Sequence, residues 1–103
     1  MRILIVCGAG ASSTFVAKRL ERAAREGGFP LSARAGSWGA SIASDSDRAA
    51  AADADLVLIG PHLSHVLDEA REQLAPARVE VLPEACLRDL TGAKTLALVS
   101  HLT

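Results

Sequence analysis

Residues 6–14, VCGAGASST, put a cysteine at the end of an apolar run, two glycines just behind it, and three hydroxyl side chains where a helical pattern begins. A thiol is inert until it ionises, so its surroundings decide its use. A strand ending at Cys7 and a helix starting a few residues later would leave unpaired N–H groups and the positive end of a helix dipole facing the loop. Gly8 and Gly10, with Ala9 between them, permit the close backbone approach that an anion cradle needs. Ala11 adds no bulk, while Ser12, Ser13 and Thr14 can cap the helix and donate to an oxyanion. Cys7 at the base of that cradle is held toward the thiolate, a nucleophile aimed at phosphoryl groups. The bland alternative is a small buried hydrophobe beside a turn that uses glycine for geometry alone. Glycines, hydroxyls and location together favour the site.

The loop also excludes chemistries. A Walker A loop has Lys after its last glycine, where this chain has Ala11. A dinucleotide fingerprint has a third glycine where Ser13 stands, and an acidic residue after the second strand where Arg34 and Ala35 stand. Cys7 and Cys86 share no CxxC spacing and no histidine pair, so no zinc site and no metal is expected. No organic cofactor is implied.

The elements that position Cys7 follow from punctuation and period. Ile3–Val6 is β-branched-rich and ends at the Cys7 loop, as a buried parallel strand does. From Ser13 the pattern is helical, with Val16, Leu20, Ala23 and Ala24 on one face and Lys18, Arg22 and Arg25 on another, until Gly27-Gly28. Leu31–Ala35 reads as a weaker strand and residues 36–44 as loop. Asp45 to about Ala54 reads as a short helix capped by Ser44 or Asp45. Leu56–Ile59 is the clearest strand, closed by Gly60-Pro61. Leu63, Val66, Leu67, Ala70 and Leu74 recur at helical spacing up to Pro76. Val79–Leu82 is a fourth strand, residues 85–90 a small turn or helix, and a final helix starts near Thr91 or Gly92. Alternating strands and helices predict an α/β fold of three layers, a four-stranded parallel sheet flanked by helices with a P-loop-like phosphate-binding loop after the first strand. Cys7, Ser37-Trp38, Gly60-Pro61-His62 and Pro83-Glu84 then fall on the carboxyl edge, where such sheets carry their sites.

Composition agrees. The 103 residues read as a single domain, 1–103, half of them apolar, with two Phe and one Trp. A chain of this size buries roughly two thirds of its unfolded surface, enough for one core without staples. A net charge of −1 with no arginine-rich arm speaks against nucleic acid as a partner. The apolar start before Cys7 is too short for a signal-peptide core or a membrane span, so a cytoplasmic protein without direct membrane insertion is expected.

CGAGASST with the later LVLIGPH resembles the IIB component of the lactose/cellobiose (chitobiose) class of the bacterial sugar phosphotransferase system, over essentially the whole chain. The resemblance implies that Cys7 is the phosphoacceptor, carried as phosphocysteine, and that Gly8, Ala9, Gly10, Ala11, Ser12, Ser13 and Thr14 cradle the phosphoryl oxygens. It implies a phosphohistidine donor on a IIA component and delivery to a sugar held by the membrane component IIC. Gly60 and Pro61 match the family's second motif at the site edge. His62 stands where family members usually carry Gln, and Pro83-Glu84-Ala85-Cys86-Leu87-Arg88 replaces a usual Asp-Ser then Tyr-Gly stretch. Both departures touch partner and sugar rather than the carrier chemistry.

Two other functions remain open on the sequence. Low-molecular-weight tyrosine phosphatases and related arsenate reductases share this architecture, but their C-x5-R loop needs an arginine where Ser13 stands, and only Glu84 is near for a general acid. The other is a non-catalytic regulatory binding module of the same fold. Among remaining residues, His62 could orient a phosphoryl oxygen or meet a partner, against the simpler reading of a solvated helix-start histidine. His65 and His101 read as surface. Trp38 reads as core packing, with a lid or partner anchor as the alternative. The Lys18, Arg22, Arg25 stripe reads as a solvated face, with docking of an acidic partner as the alternative, and Cys86 as a small core residue.

Overall fold

The computed structural model describes residues 1–8, 11–39 and 45–102, without the side chains of residues 11 and 12. Four strands, β1 (Arg2–Cys7), β2 (Ser32–Ser37), β3 (Leu56–Ile59) and β4 (Arg78–Val81), form one parallel sheet in the order β2-β1-β3-β4. Between them run α1 (Ala11–Glu26), α2 (Asp45–Asp53) and a 3₁₀ turn (Pro61–Val66) leading into α3 (Leu67–Leu74); α4 (Glu84–Arg88) and α5 (Ala93–Leu102) follow β4. β1 and β3 are central because nearly every side chain on them is apolar and buried, which only a strand covered on both faces can satisfy.

Alternation along β1 divides the core. Leu4 and Val6 face one side, packing with Val57, Ile59 and Val79 against Ala51, Leu63, Ala70, Leu74 and Trp38. Ile3 and Ile5 face the other, packing with Leu56 and Leu58 against Val16, Ala17 and Leu20 of α1, and against Cys86 and Val99. Fully burying one such Leu or Ile contributes about 1.5–3 kcal/mol, so the two-sided burial of β1 and β3 makes them the rigid centre.

The edge strands read differently. β2, SARAGS, exposes Ser32 and Arg34, and β4, RVEV, exposes Arg78. The expected strand at Leu31–Ala35 is corrected at its end: Gly36 and Ser37 are strand, not loop. Ladder pairing with Val6 and Cys7 holds them there, and Trp38 N–H continues it by donating to the Cys7 carbonyl at 2.9 Å. Residues 40–44, expected as loop and including the cap candidate Ser44, lie outside the described residues. The apolar period over 63–74 is also divided. Leu63 N–H donates to the Gly60 carbonyl and Leu67 N–H to that of Ser64, the tight i→i+3 bonds of a 3₁₀ turn, before α3 begins.

The connection that leaves β1 runs to β2 on one side, and the connection that leaves β3 runs to β4 on the other. Where two such connections diverge is the switch point at which open α/β sheets carry their sites. Cys7 and Gly60 stand there.

Candidate functional site

Cys7 is clamped on both sides. Its carbonyl accepts from Trp38 N–H, and the Val6 carbonyl accepts from Gly60 N–H at 2.8 Å. The residue is 4% exposed, yet among the described residues it belongs to neither of the two apolar clusters. Gly8 follows at the surface, and its N–H donates to Nε2 of His62 at 3.2 Å. Ala9 and Gly10 lie outside the described residues, as do the side chains of Ala11 and Ser12. The 16-residue α1 begins at Ala11, so its first turn directs N–H groups without helical partners toward the loop.

Ser13 is buried, and its hydroxyl donates to the Gly36 carbonyl at 3.1 Å, tying the start of α1 to β2. Thr14 is exposed. Beside Cys7, Gly60 is buried and Pro61 opens the 3₁₀ turn that carries His62. A Cβ at Gly60 would stand 2.8 Å from Cε1 and 3.1 Å from Nδ1 of His62, and 3.7 Å from the Cys7 Cβ. The imidazole therefore covers Gly60 and reaches the amide next to the sulfur-bearing residue. The structure brings Cys7, Gly8, Gly60 and His62 together.

Sequence reasoning missed Asp47. It is buried at the start of α2, its carboxylate accepts from Ser37 N–H at 3.3 Å, and it stands 3.3 Å from where a Cβ on Gly36 would lie. It braces the end of β2, beside Cys7. The signal available was an acidic residue in a helix's first turn after a Gly-Ser strand end.

Other singled-out residues are elsewhere. Trp38 is buried against Val6 and Leu63, in the core rather than over the site. Cys86 is buried on the opposite face, where burial pushes its thiol up and Asp89 adds to this, while the Thr95 hydroxyl and Lys94 work against it. Lys18, Arg22 and Arg25 are exposed on α1, and Arg22 donates to the Leu90 carbonyl at 3.0 Å. His65 and His101 are exposed. Glu84 opens α4, which lies against α1 on the Cys86 face of the sheet, and its carboxylate holds Arg88 at 2.6 Å. A cavity of about 380 Å³ lined by Arg2, Ser32, Arg34 and Asp53 opens at the amino end of the sheet, away from Cys7.

The fold is that of an α/β protein with a cysteine at the switch point of a four-stranded parallel sheet. The chain belongs to the family described as "PTS system, Lactose/Cellobiose specific IIB subunit", whose sequence profile matches residues 2–96. Its fold is similar to the lactose-specific IIB component domain of the phosphoenolpyruvate:carbohydrate phosphotransferase system from Streptococcus pneumoniae, with a TM-score of 0.75 at 20% identity over 98% of this chain and 95% of that one. Family membership makes the protein a component of phosphotransfer in sugar transport. Among the described residues no helix is long and apolar enough to cross a membrane.

Proposed function

We propose that the protein is a cytoplasmic phosphocarrier in which the Cys7 thiolate takes a phosphoryl group from a phosphohistidine on a IIA component. It then gives that group to a sugar, a β-linked disaccharide, held by a membrane component IIC. The observation that carries this reading is the position of Cys7 at the end of the central strand, next to the Gly8 amide and to the first turn of α1.

In the loading step the sulfur attacks phosphorus in line. The sulfur–phosphorus bond forms as the donor's nitrogen–phosphorus bond breaks, and the leaving imidazole keeps that electron pair. The charge spread over the phosphoryl oxygens is met by amide hydrogens of the loop and the dipole of α1. In the unloading step a sugar hydroxyl oxygen attacks the same phosphorus, the thiolate leaves, and the hydroxyl proton passes to a base on the permease side. Ala9, Gly10, Ala11, Ser12, Ser13 and Thr14 complete the cradle in this reading. Cys7 is buried as a residue, and a site that admits little water favours transfer over hydrolysis.

No arginine stands in the loop to fork onto the phosphate, and Glu84 is engaged with Arg88. Both features argue against a phosphatase. Incubation with phosphorylated IIA followed by intact-mass measurement tests the reading. The expected result is a gain of one phosphoryl group that Cys7→Ser abolishes, with no turnover of p-nitrophenyl phosphate. No gain with any IIA would return the protein to the class of binding modules, and cysteine-dependent turnover would make it a phosphatase.

A further inference from the structure

The first amide after Cys7 has an acceptor before any phosphoryl group arrives. Gly8 N–H donates to Nε2 of His62 at 3.2 Å. An imidazole nitrogen accepts only through a free lone pair, so His62 is neutral in this arrangement and carries its proton on Nδ1. The ring reaches Gly8 by lying over Gly60, and it meets Gly8 at ordinary contact distance, a Cβ there being 3.4 Å from Nε2. His62 thus joins the carboxyl ends of the two central strands, and as a residue it remains exposed to solvent.

A phosphoryl group on the Cys7 sulfur would offer that same amide an anionic oxygen, the stronger acceptor. One N–H cannot serve both partners fully. We propose that His62 is a positioning residue that exchanges with the phosphoryl group: it holds the Gly8 amide while Cys7 is empty and yields it to a phosphoryl oxygen when Cys7 is loaded. The ligand in this inference rests on the carrier reading; the His62–Gly8 bond does not. No covalent bond to His62 forms or breaks, and only the acceptor of one hydrogen bond changes.

The imidazole stabilises the empty form relative to the loaded one, which favours passing the group on.

Nitrogen-15 NMR of the full chain reads both His62 nitrogens and the Gly8 amide. In the empty protein Nδ1 is protonated, Nε2 is bare, and a scalar coupling crosses the hydrogen bond from Gly8. Loading Cys7 from a phosphohistidine donor, or adding inorganic phosphate, abolishes that coupling and shifts the Gly8 proton. His62→Ala, which removes the competitor, binds inorganic phosphate about threefold to tenfold tighter, the weight of one net hydrogen bond. His62→Gln, whose side-chain carbonyl can take the Gly8 N–H, restores most of the wild-type affinity.

A proton on Nε2 in the empty protein overturns the exchange, and so does a coupling that survives loading. Weaker phosphate binding by His62→Ala would make His62 a direct ligand of the anion and also overturns it. If Cys7 does not load but phosphate still displaces His62 from Gly8, the carrier reading fails and the exchange stands. If Cys7 loads and the His62–Gly8 bond persists, the reverse holds. Silence of Gly8 and His62 toward both reagents overturns the exchange.

Discussion

Gly92 is seated directly on the backbone of α1 at Arg19: a Cβ on Gly92 would lie 2.3 Å from the Arg19 carbonyl oxygen and 2.6 Å from its carbon. Its φ of +77° is in the left-handed region as well, so space and conformation both exclude a side chain. Because the Gly92 carbonyl accepts from Leu96 N–H at 3.0 Å, this seat fixes the start of α5 against α1. The obstructing atoms are backbone and cannot swing aside. Gly92→Ala should therefore cost about 2–6 kcal/mol, the sum of a left-handed penalty and overpacking. The urea midpoint should fall with an unchanged slope; a midpoint equal to wild type would mean that α5 does not sit there.

Asp89 caps the same segment. Its carboxylate accepts from Lys94 N–H at 2.8 Å, from the Thr91 hydroxyl at 2.7 Å and from Thr91 N–H at 3.0 Å. The Lys94 amide first, then the two Thr91 groups, hold its pKa down from 3.8 to about 2. The folded state therefore binds fewer protons than the unfolded state between those values. The contribution is complete above 3.8 and is lost as pH falls toward 2. Asp89→Asn does not titrate, so it should show a shallower loss of stability on acidification through that window. Parallel denaturation series at stepped pH measure the difference, and equal slopes would remove Asp89 from the cap.

Which elements are legible in the sequence follows a physical rule. β1 and β3 were legible because strands buried on both faces are unbroken apolar runs, and Cys7 was legible because glycine punctuation ends the first of them. The end of β2 was not: Gly36 and Ser37 carry no strand preference and are held only by pairing with Val6 and Cys7. The hydrogen bond of Gly8 to His62 spans 54 positions and that of Ser37 to Asp47 spans 10, so neither leaves a local pattern. The sequence placed His62 at the site edge, but only the crossing of two strand ends discloses which atom it holds.

Ser13 illustrates a second role for a loop hydroxyl. Its bond to the Gly36 carbonyl is buried and joins the first turn of α1 to the strand beside Cys7. Ser13→Ala leaves that carbonyl short of its donor, at a cost of about 1–3 kcal/mol. Thermal unfolding should show the loss. Ser13→Thr, which keeps the hydroxyl, should recover part of it if the added methyl is accommodated. An alanine variant as stable as wild type would show that the bond contributes nothing net.

Gly60 has ordinary extended backbone, φ −60° and ψ 153°, so conformation does not demand glycine there. The His62 ring does, since a methyl group would press 2.8 Å from Cε1 while meeting the Cys7 Cβ at an ordinary 3.7 Å. The ring is a side chain and can rotate away. Gly60→Ala should thus keep the fold, with stability within about 1 kcal/mol of wild type, yet displace His62 and free the Gly8 amide. Hydrogen exchange at Gly8 should accelerate about fivefold, as expected for one lost net hydrogen bond. The effect must be non-additive: with His62→Ala already in place, Gly60→Ala should change Gly8 exchange no further. An unchanged Gly8 rate in the single variant, or a full second increment in the double variant, would show that the glycine is not there to admit the imidazole.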